Sequence, residues 1–193
     1  MSGPVPELAE ILRQIATTVS AREPRIPMDT RIIAIDGPGG AGKSTFAKQL
    51  AAALDSCQVV HTDDFASWDN PVDWWPRLID EVLEPLSRNE PARFRRSQWE
   101  AGEDLGAVEV LPAPRLILEG VTASRQVFRP YLTYSVWIDA AREVRLSRGL
   151  KRDGAPSRAQ WVKWMAEEDE YRDREHPDAH ADLVLSGEQD LWT

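Results

Sequence analysis

The sequence predicts an α/β fold built on a central parallel sheet, and three observations carry that prediction. The apolar run Ile32-Ile33-Ala34-Ile35 marks a strand buried on both faces, the segment Gly37-Pro38-Gly39-Gly40-Ala41-Gly42-Lys43-Ser44 follows it, and residues 45–54 read as a helix. Further apolar runs at 57–61, 116–118, 134–139 and 182–185 supply the remaining strands. A chain of 193 residues is long enough for one such domain with a substantial core and cramped for two.

Before the first strand, Leu8, Ile11, Leu12, Ile15 and Val19 recur at helical spacing, which predicts an amphipathic helix packed on the domain. Glu7 and Glu10 argue against a membrane-surface role for it. Pro24 and Pro27 make residues 22–28 a linker. We therefore divide the chain into an N-terminal helix and linker, 1–28, and a single domain, 29–193.

The segment 37–44 fits the phosphate-binding pattern of Gly, four residues, Gly-Lys-Ser. Its glycines let the backbone curl with N–H groups pointing inward around phosphate oxygens, and the following helix adds the positive end of its dipole. Lys43 supplies a mobile charge for the outer phosphates, and the Ser44 hydroxyl suits a magnesium ion. Gly37, Gly39, Gly40, Ala41, Gly42, Lys43, Ser44 and Thr45 are thus the candidate nucleotide-binding residues.

The formal net charge of −9 and the isoelectric point near 4.9 argue against a general nucleic-acid or anionic-membrane partner. Cys57 is the single cysteine, so there is no internal disulfide, and a reducing cytoplasm fits. The N-terminus mixes charged with apolar residues, so neither a signal peptide nor a membrane span is expected.

The second strand, 57–61, delivers Thr62-Asp63-Asp64-Phe65 to its C-terminal end. Ligands of open parallel sheets bind beyond the carboxyl ends of the strands, so Asp63 and Asp64 face or flank the phosphates. In the turn-rich segment 68–76, three tryptophans either wall a pocket or anchor the loop to the core. A helix over about 77–87 follows. Arg93-Phe94-Arg95 and Val108-Glu109-Val110 alternate as the strands of a small hairpin. Leu116-Ile117-Leu118 carries Glu119 to the ligand side. The helix 141–152 holds Arg142, Arg145, Arg148, Lys151 and Arg152; the three-then-four spacing puts Arg145, Arg148 and Arg152 on one face. Such a face is either solvated or the place where an acidic protein meets a polyphosphate. Residues 153–157 break that helix, Ser157 caps the next, and 160–174 form a charged amphipathic helix.

Together these residues resemble the uridine kinase family of P-loop nucleoside kinases, over about 31–185. The likeness rests on Ile35-Asp36-Gly37 through Lys43-Ser44, Thr62-Asp63-Asp64-Phe65, Trp68-Asp69-Asn70-Pro71, Leu118-Glu119-Gly120, Arg145-Leu146-Ser147-Arg148 and Arg152-Asp153. It implies a three-layer P-loop kinase fold with a central parallel sheet, a small β-hairpin and a helical arginine-bearing lid at about 145–160. It also implies transfer of the γ-phosphoryl of ATP, with Mg2+, to a hydroxyl such as that of a nucleoside. By position, Asp63 would be the base, with Lys43, Arg148 and Arg152 the other catalytic groups. Arg145 would join the ATP site. Ser44, Asp63 and Glu119 would surround the metal. Asp69, Trp68 and Gln98 would hold the acceptor. Arg95-Arg96-Ser97-Gln98-Trp99 lacks the tyrosine and histidine with which the family reads a pyrimidine, and Asn70 replaces a family histidine. A non-nucleoside metabolite as acceptor, and an accessory protein that binds and slowly hydrolyses ATP, are the alternatives. The small-molecule acceptor is the one partner this reading calls for; self-association is left open.

Overall fold

In the computed structural model, which describes residues 6–55, 57–67, 70, 72–97 and 105–188, the run around Ile33 becomes the middle strand of a five-stranded parallel sheet. The strands are β1 (Arg31–Asp36), β2 (Cys57–His61), β5 (Arg115–Glu119), β6 (Leu132–Asp139) and β7 (Leu183–Ser186), in the order β2-β5-β1-β6-β7. Ile33 lies opposite Ile117 on one side and Tyr134 on the other, and Asp36 lies opposite Trp137. The near-continuous apolar character of β1 has a simple cause: both of its faces are covered. Ile32 and Ala34 point into one core cluster, Ile33 and Ile35 into the other.

On the second of those faces lie α1 (Pro6–Ala21) and α2 (Lys43–Ala53). Leu8, Leu12, Ile15 and Val19 of α1 pack with Phe46, Ala47 and Leu50 of α2, as the helical spacing predicts. The opposite face carries one helical stretch, α3 (Trp75–Leu78), a π-helical turn (Ile79–Leu83) and α4 (Glu84–Ser87). Pro85 explains the widened turn: it offers no N–H to the Glu81 carbonyl and its ring crowds that carbonyl, so the backbone opens by one residue. Beside it the two-stranded antiparallel hairpin β3 (Ala92–Arg95) and β4 (Ala107–Val110) buries Phe94 against Phe65, with ring centroids 4.5 Å apart.

Above the C-terminal ends of the strands sit α5 (Arg142–Asp153) and α6 (Arg158–Glu175), with α7 (Pro177–His180) completing the helices. Gly149 makes their contact possible, because a Cβ there would lie 2.4 Å from the Trp161 ring. Ser157 does not cap α6. Residues 155–157 wind as a 3-10 turn, Ser157 itself has helical dihedral angles, and its hydroxyl donates to the Asp153 carbonyl at 3.0 Å. The fold is α/β with helices on both faces of the parallel sheet, the three-layer arrangement of P-loop kinases. Among the described residues, no helix is long and apolar enough to cross a membrane.

Candidate active site

The glycine loop leaves β1 and enters α2 directly. Gly40 has φ +78° and its Cα lies so close to α5 that a Cβ would meet the Arg145 carbonyl oxygen at 2.6 Å, so a side chain is excluded twice over. Lys43 is almost fully buried, and its Nζ donates to the Pro38 carbonyl at 2.9 Å across the loop. Beneath the loop, the fully buried Asp36 carboxylate accepts from the backbone N–H groups of Gly37, Thr122 and Ser124, from the Ser124 hydroxyl and from the Tyr171 hydroxyl. These five donors come from the loop, from the turn after β5 and from α6, so one carboxylate ties α6 to the sheet. Burial beside Asp36 pushes the Tyr171 phenol well above its ordinary pKa, which keeps it a donor. Tyr171→Phe, which deletes that 2.7 Å bond, is expected to cost about 1–3 kcal/mol of stability, read as a lower midpoint in urea denaturation.

A cleft of about 240 Å³ opens over the loop. Of the sequence-predicted residues, Gly39, Gly40, Gly42, Lys43, Ser44 and Thr45 form its floor, Asp63 and Glu119 one wall, and Arg148 and Arg152 part of the α5 side. Gly37 and Ala41 shape the loop without lining the cleft: the Gly37 amide is taken by Asp36, and Ala41 is fully buried with its N–H on the Pro38 carbonyl. Arg145 also stands apart from the cleft. It is 5% exposed, its Nε donates to the Ala140 carbonyl and its terminal NH1 nitrogen to Glu168 at 3.2 Å. Trp68, Asp69 and Gln98 lie outside the described residues.

Glu119 is the most constrained acid of the wall. Its two oxygens accept from the Ser44 hydroxyl at 3.0 Å and from His61 Nδ1 at 2.6 Å. Burial pushes its carboxyl up, but the His61 hydrogen bond, the Lys43 charge and Ser44 outweigh this and hold it below its usual value. The same bond raises the pKa of His61, favouring its charged form beside Glu119. Asp63 opens onto the cleft, yet protein surrounds most of its carboxylate. Crowding pushes its pKa up, Lys43 opposes and Glu119 reinforces.

On α5, Arg148 donates to the Gly40 carbonyl at 3.2 Å and to the Gly187 carbonyl at 2.9 Å, bracing the loop against the turn after β7. Arg152 pairs with Asp153 at 2.7 Å and lies over the Trp161 ring, 5.5 Å from its centroid, while Trp161 Nε1 donates to Asp153 at 2.9 Å. Trp74, one of the tryptophans weighed as pocket wall or core anchor, lines the cleft while buried in the core, and the remaining wall, which the sequence did not assign, contains Trp161, Trp164, Glu167 and Glu168. One signal for Glu168 was present. Trp161, Met165, Glu168 and Tyr171 are the buried positions of α6, and a carboxylate within an otherwise apolar stripe calls for a buried partner.

The cleft and its loop define a P-loop protein, and the chain shares the α/β P-loop kinase fold with solved structures. Among solved structures the chain superposes on a possible uridine kinase from Bacillus stearothermophilus with a TM-score of 0.67, covering 93% of this chain and 99% of that one at 20% identity. A protein from Silicibacter sp. TM1040, provisionally assigned as a fructose transport system kinase, matches with a TM-score of 0.57 over 92% and 98% of the two chains, also at 20% identity. Among curated proteins the chain is 32% identical over 130 residues to cytidylate kinase of Edwardsiella ictaluri, covering 64% of this chain and 55% of that enzyme. It is 26% identical over 132 residues to inorganic pyrophosphatase TTM2 of Arabidopsis thaliana, covering 63% of this chain and 20% of that protein. The chain thus spans about half of the one curated relative and about a fifth of the other. No protein-family model matches it.

Proposed function

We propose that this protein is an ATP-dependent kinase that transfers the γ-phosphoryl group to a hydroxyl of a small molecule, with nucleosides of the uridine or cytidine type the first acceptor class to test. The observation that carries the reading is the meeting of Asp63 with Lys43, Ser44 and Glu119 in one cleft: a carboxylate able to take a proton stands beside a loop built for phosphate. A phosphate cradle alone would serve a switch protein equally well.

In the reaction, the acceptor oxygen forms its bond to the γ-phosphorus as the bond to the β-γ bridging oxygen breaks, ADP leaves, and the hydroxyl proton passes to Asp63. Lys43 offsets charge on the phosphates from the loop, and Arg152 and Arg148 do so from the lid side, in a transition state stabilised mainly by positioning and electrostatics. The oxygen donors of Ser44, Glu119 and Asp63 suit Mg2+, a hard cation that prefers oxygen ligands and commonly shares them with phosphate and water. Bound with ATP, the ion would supply charge compensation for the β- and γ-phosphate oxygens. Trp161 and Trp164 on α6 and Trp74 opposite are placed to exclude water, which otherwise competes as acceptor.

An acceptor panel with ADP release measured for each compound tests this reading. Release accelerated by uridine or cytidine is the expected result. Acceleration by other hydroxyl compounds alone would move the acceptor outside the nucleosides, and slow release indifferent to every acceptor would leave only an ATP-binding accessory role.

A further inference from the structure

Glu168 is an acid of the cleft that the reaction above does not use, and unlike its half-buried neighbour Glu167 it is buried where an anion is wanted. Its Oε1 accepts the Gly39 N–H at 2.9 Å, inside the glycine loop, and its Oε2 accepts from Arg145 at 3.2 Å. Glu168 is 8% and Arg145 5% exposed, so both partners hold it away from bulk water. The side chain of Lys43 is close enough for its charge to act on the same carboxylate. One loop amide, one guanidinium and one ammonium converging on two oxygens is the environment that a glycine loop at a helix N-terminus offers to phosphate.

Resting on the reading of this cleft as an ATP site, we propose that Glu168 is a positioning residue that competes with the donor's phosphates for the Gly39 amide and the Arg145 guanidinium. The single Gly39 N–H donates to a phosphate or to the carboxylate, and a phosphate that takes it repels the neighbouring Glu168 anion away from Arg145 as well. ATP binding therefore requires Glu168 to give up both partners. Arg145 then exchanges a carboxylate for phosphate, which reconciles its burial behind the cleft with the nucleotide role that its place in the sequence implies. Glu168 lies on α6, and the Trp161 ring on the same helix packs against Gly39, 3.1 Å from where a Cβ would be. Displacing the carboxylate thus shifts Trp161 and Trp164, two walls of the cleft, so donor binding reshapes the acceptor's surroundings.

Calorimetric binding of ATP, inorganic pyrophosphate and adenosine to the wild type and to Glu168→Gln tests this. The variant keeps the shape and an oxygen acceptor but removes the competing charge. ATP and pyrophosphate are expected to bind about tenfold more tightly or better, and adenosine, which has no phosphate, is expected to be unaffected. A residue with a merely structural role would not separate adenosine from the phosphates. Unchanged or weaker ATP binding by a folded variant overturns the proposal while leaving the ATP reading standing, whereas failure of both proteins to bind ATP or pyrophosphate overturns both. Because the variant leaves Arg145 buried without its counter-charge and could fail to fold, the wild type supplies a second readout: amide hydrogen exchange across residues 161–171 is expected to change when ATP is added. Exchange there that is the same with and without saturating ATP also overturns the proposal.

Discussion

Replacing Asp63 by alanine is expected to lower kcat by roughly 10²- to 10⁴-fold while ATP binding is retained, the range that a positioned general base contributes. The turn after β2 carries Asp63 into the cleft, on the wall with Glu119 and facing Lys43 and Ser44 of the loop. Its carboxyl is pushed above the usual aspartate range by the surrounding protein, with Glu119 adding to the push and Lys43 opposing it. A carboxylate so raised accepts a proton more readily than a free one. Asp63→Asn keeps the size and removes the basicity, so it should lose kcat by a similar factor. Steady-state rates with calorimetric ATP binding on the same samples make the check. Transfer that survives unchanged in either variant would show that the acceptor's proton goes elsewhere.

Lys43→Ala is expected to lower kcat/KM by about 10²- to 10³-fold and, unlike the Asp63 variants, to weaken ATP binding as well. Lys43 is 6% exposed and its ammonium bridges back to the Pro38 carbonyl, so it closes the loop on itself, and in the proposed reaction it would also carry charge to the phosphates. Its charge also reaches Asp63, Glu119 and Glu168, three acids of the same cleft. Removing it leaves those carboxylates without their shared cation. Lys43→Arg should not restore activity, because a planar guanidinium does not fit the space of a compact ammonium. Wild-type ATP affinity in Lys43→Ala would contradict the placement of the triphosphate on this loop.

The sheet and the loop were legible in the sequence because their physics is local. A strand covered on both faces must be apolar throughout, as Ile32 to Ile35 are, and a loop that curls its amides inward needs glycine at set places. The helix of Leu8, Leu12, Ile15 and Val19 was legible for the same reason. What was lost depended on how distant pieces meet. The spacing of Arg145, Arg148 and Arg152 put them on one face of α5, but α6 packs against the first turn of that face. Arg145 is therefore committed to Glu168, and only Arg148 and Arg152 reach the cleft. The buried partners of Asp36, one of them Tyr171 from 135 residues further on, leave no local trace. Glu168 did leave one, as a charge in an apolar stripe, but reading it needs the knowledge that the glycine loop is what the stripe faces.

The transfer of label from ATP marked at the γ-phosphorus puts the central claim to the test, with products resolved by mass spectrometry in the presence and absence of hydroxyl acceptors. Label on the acceptor's oxygen, formed in step with ADP and lost in Asp63→Ala, is the expected result. Label found only in inorganic phosphate, at a rate that no acceptor alters and that Asp63→Ala leaves untouched, would contradict the assignment of this cleft as a kinase centre.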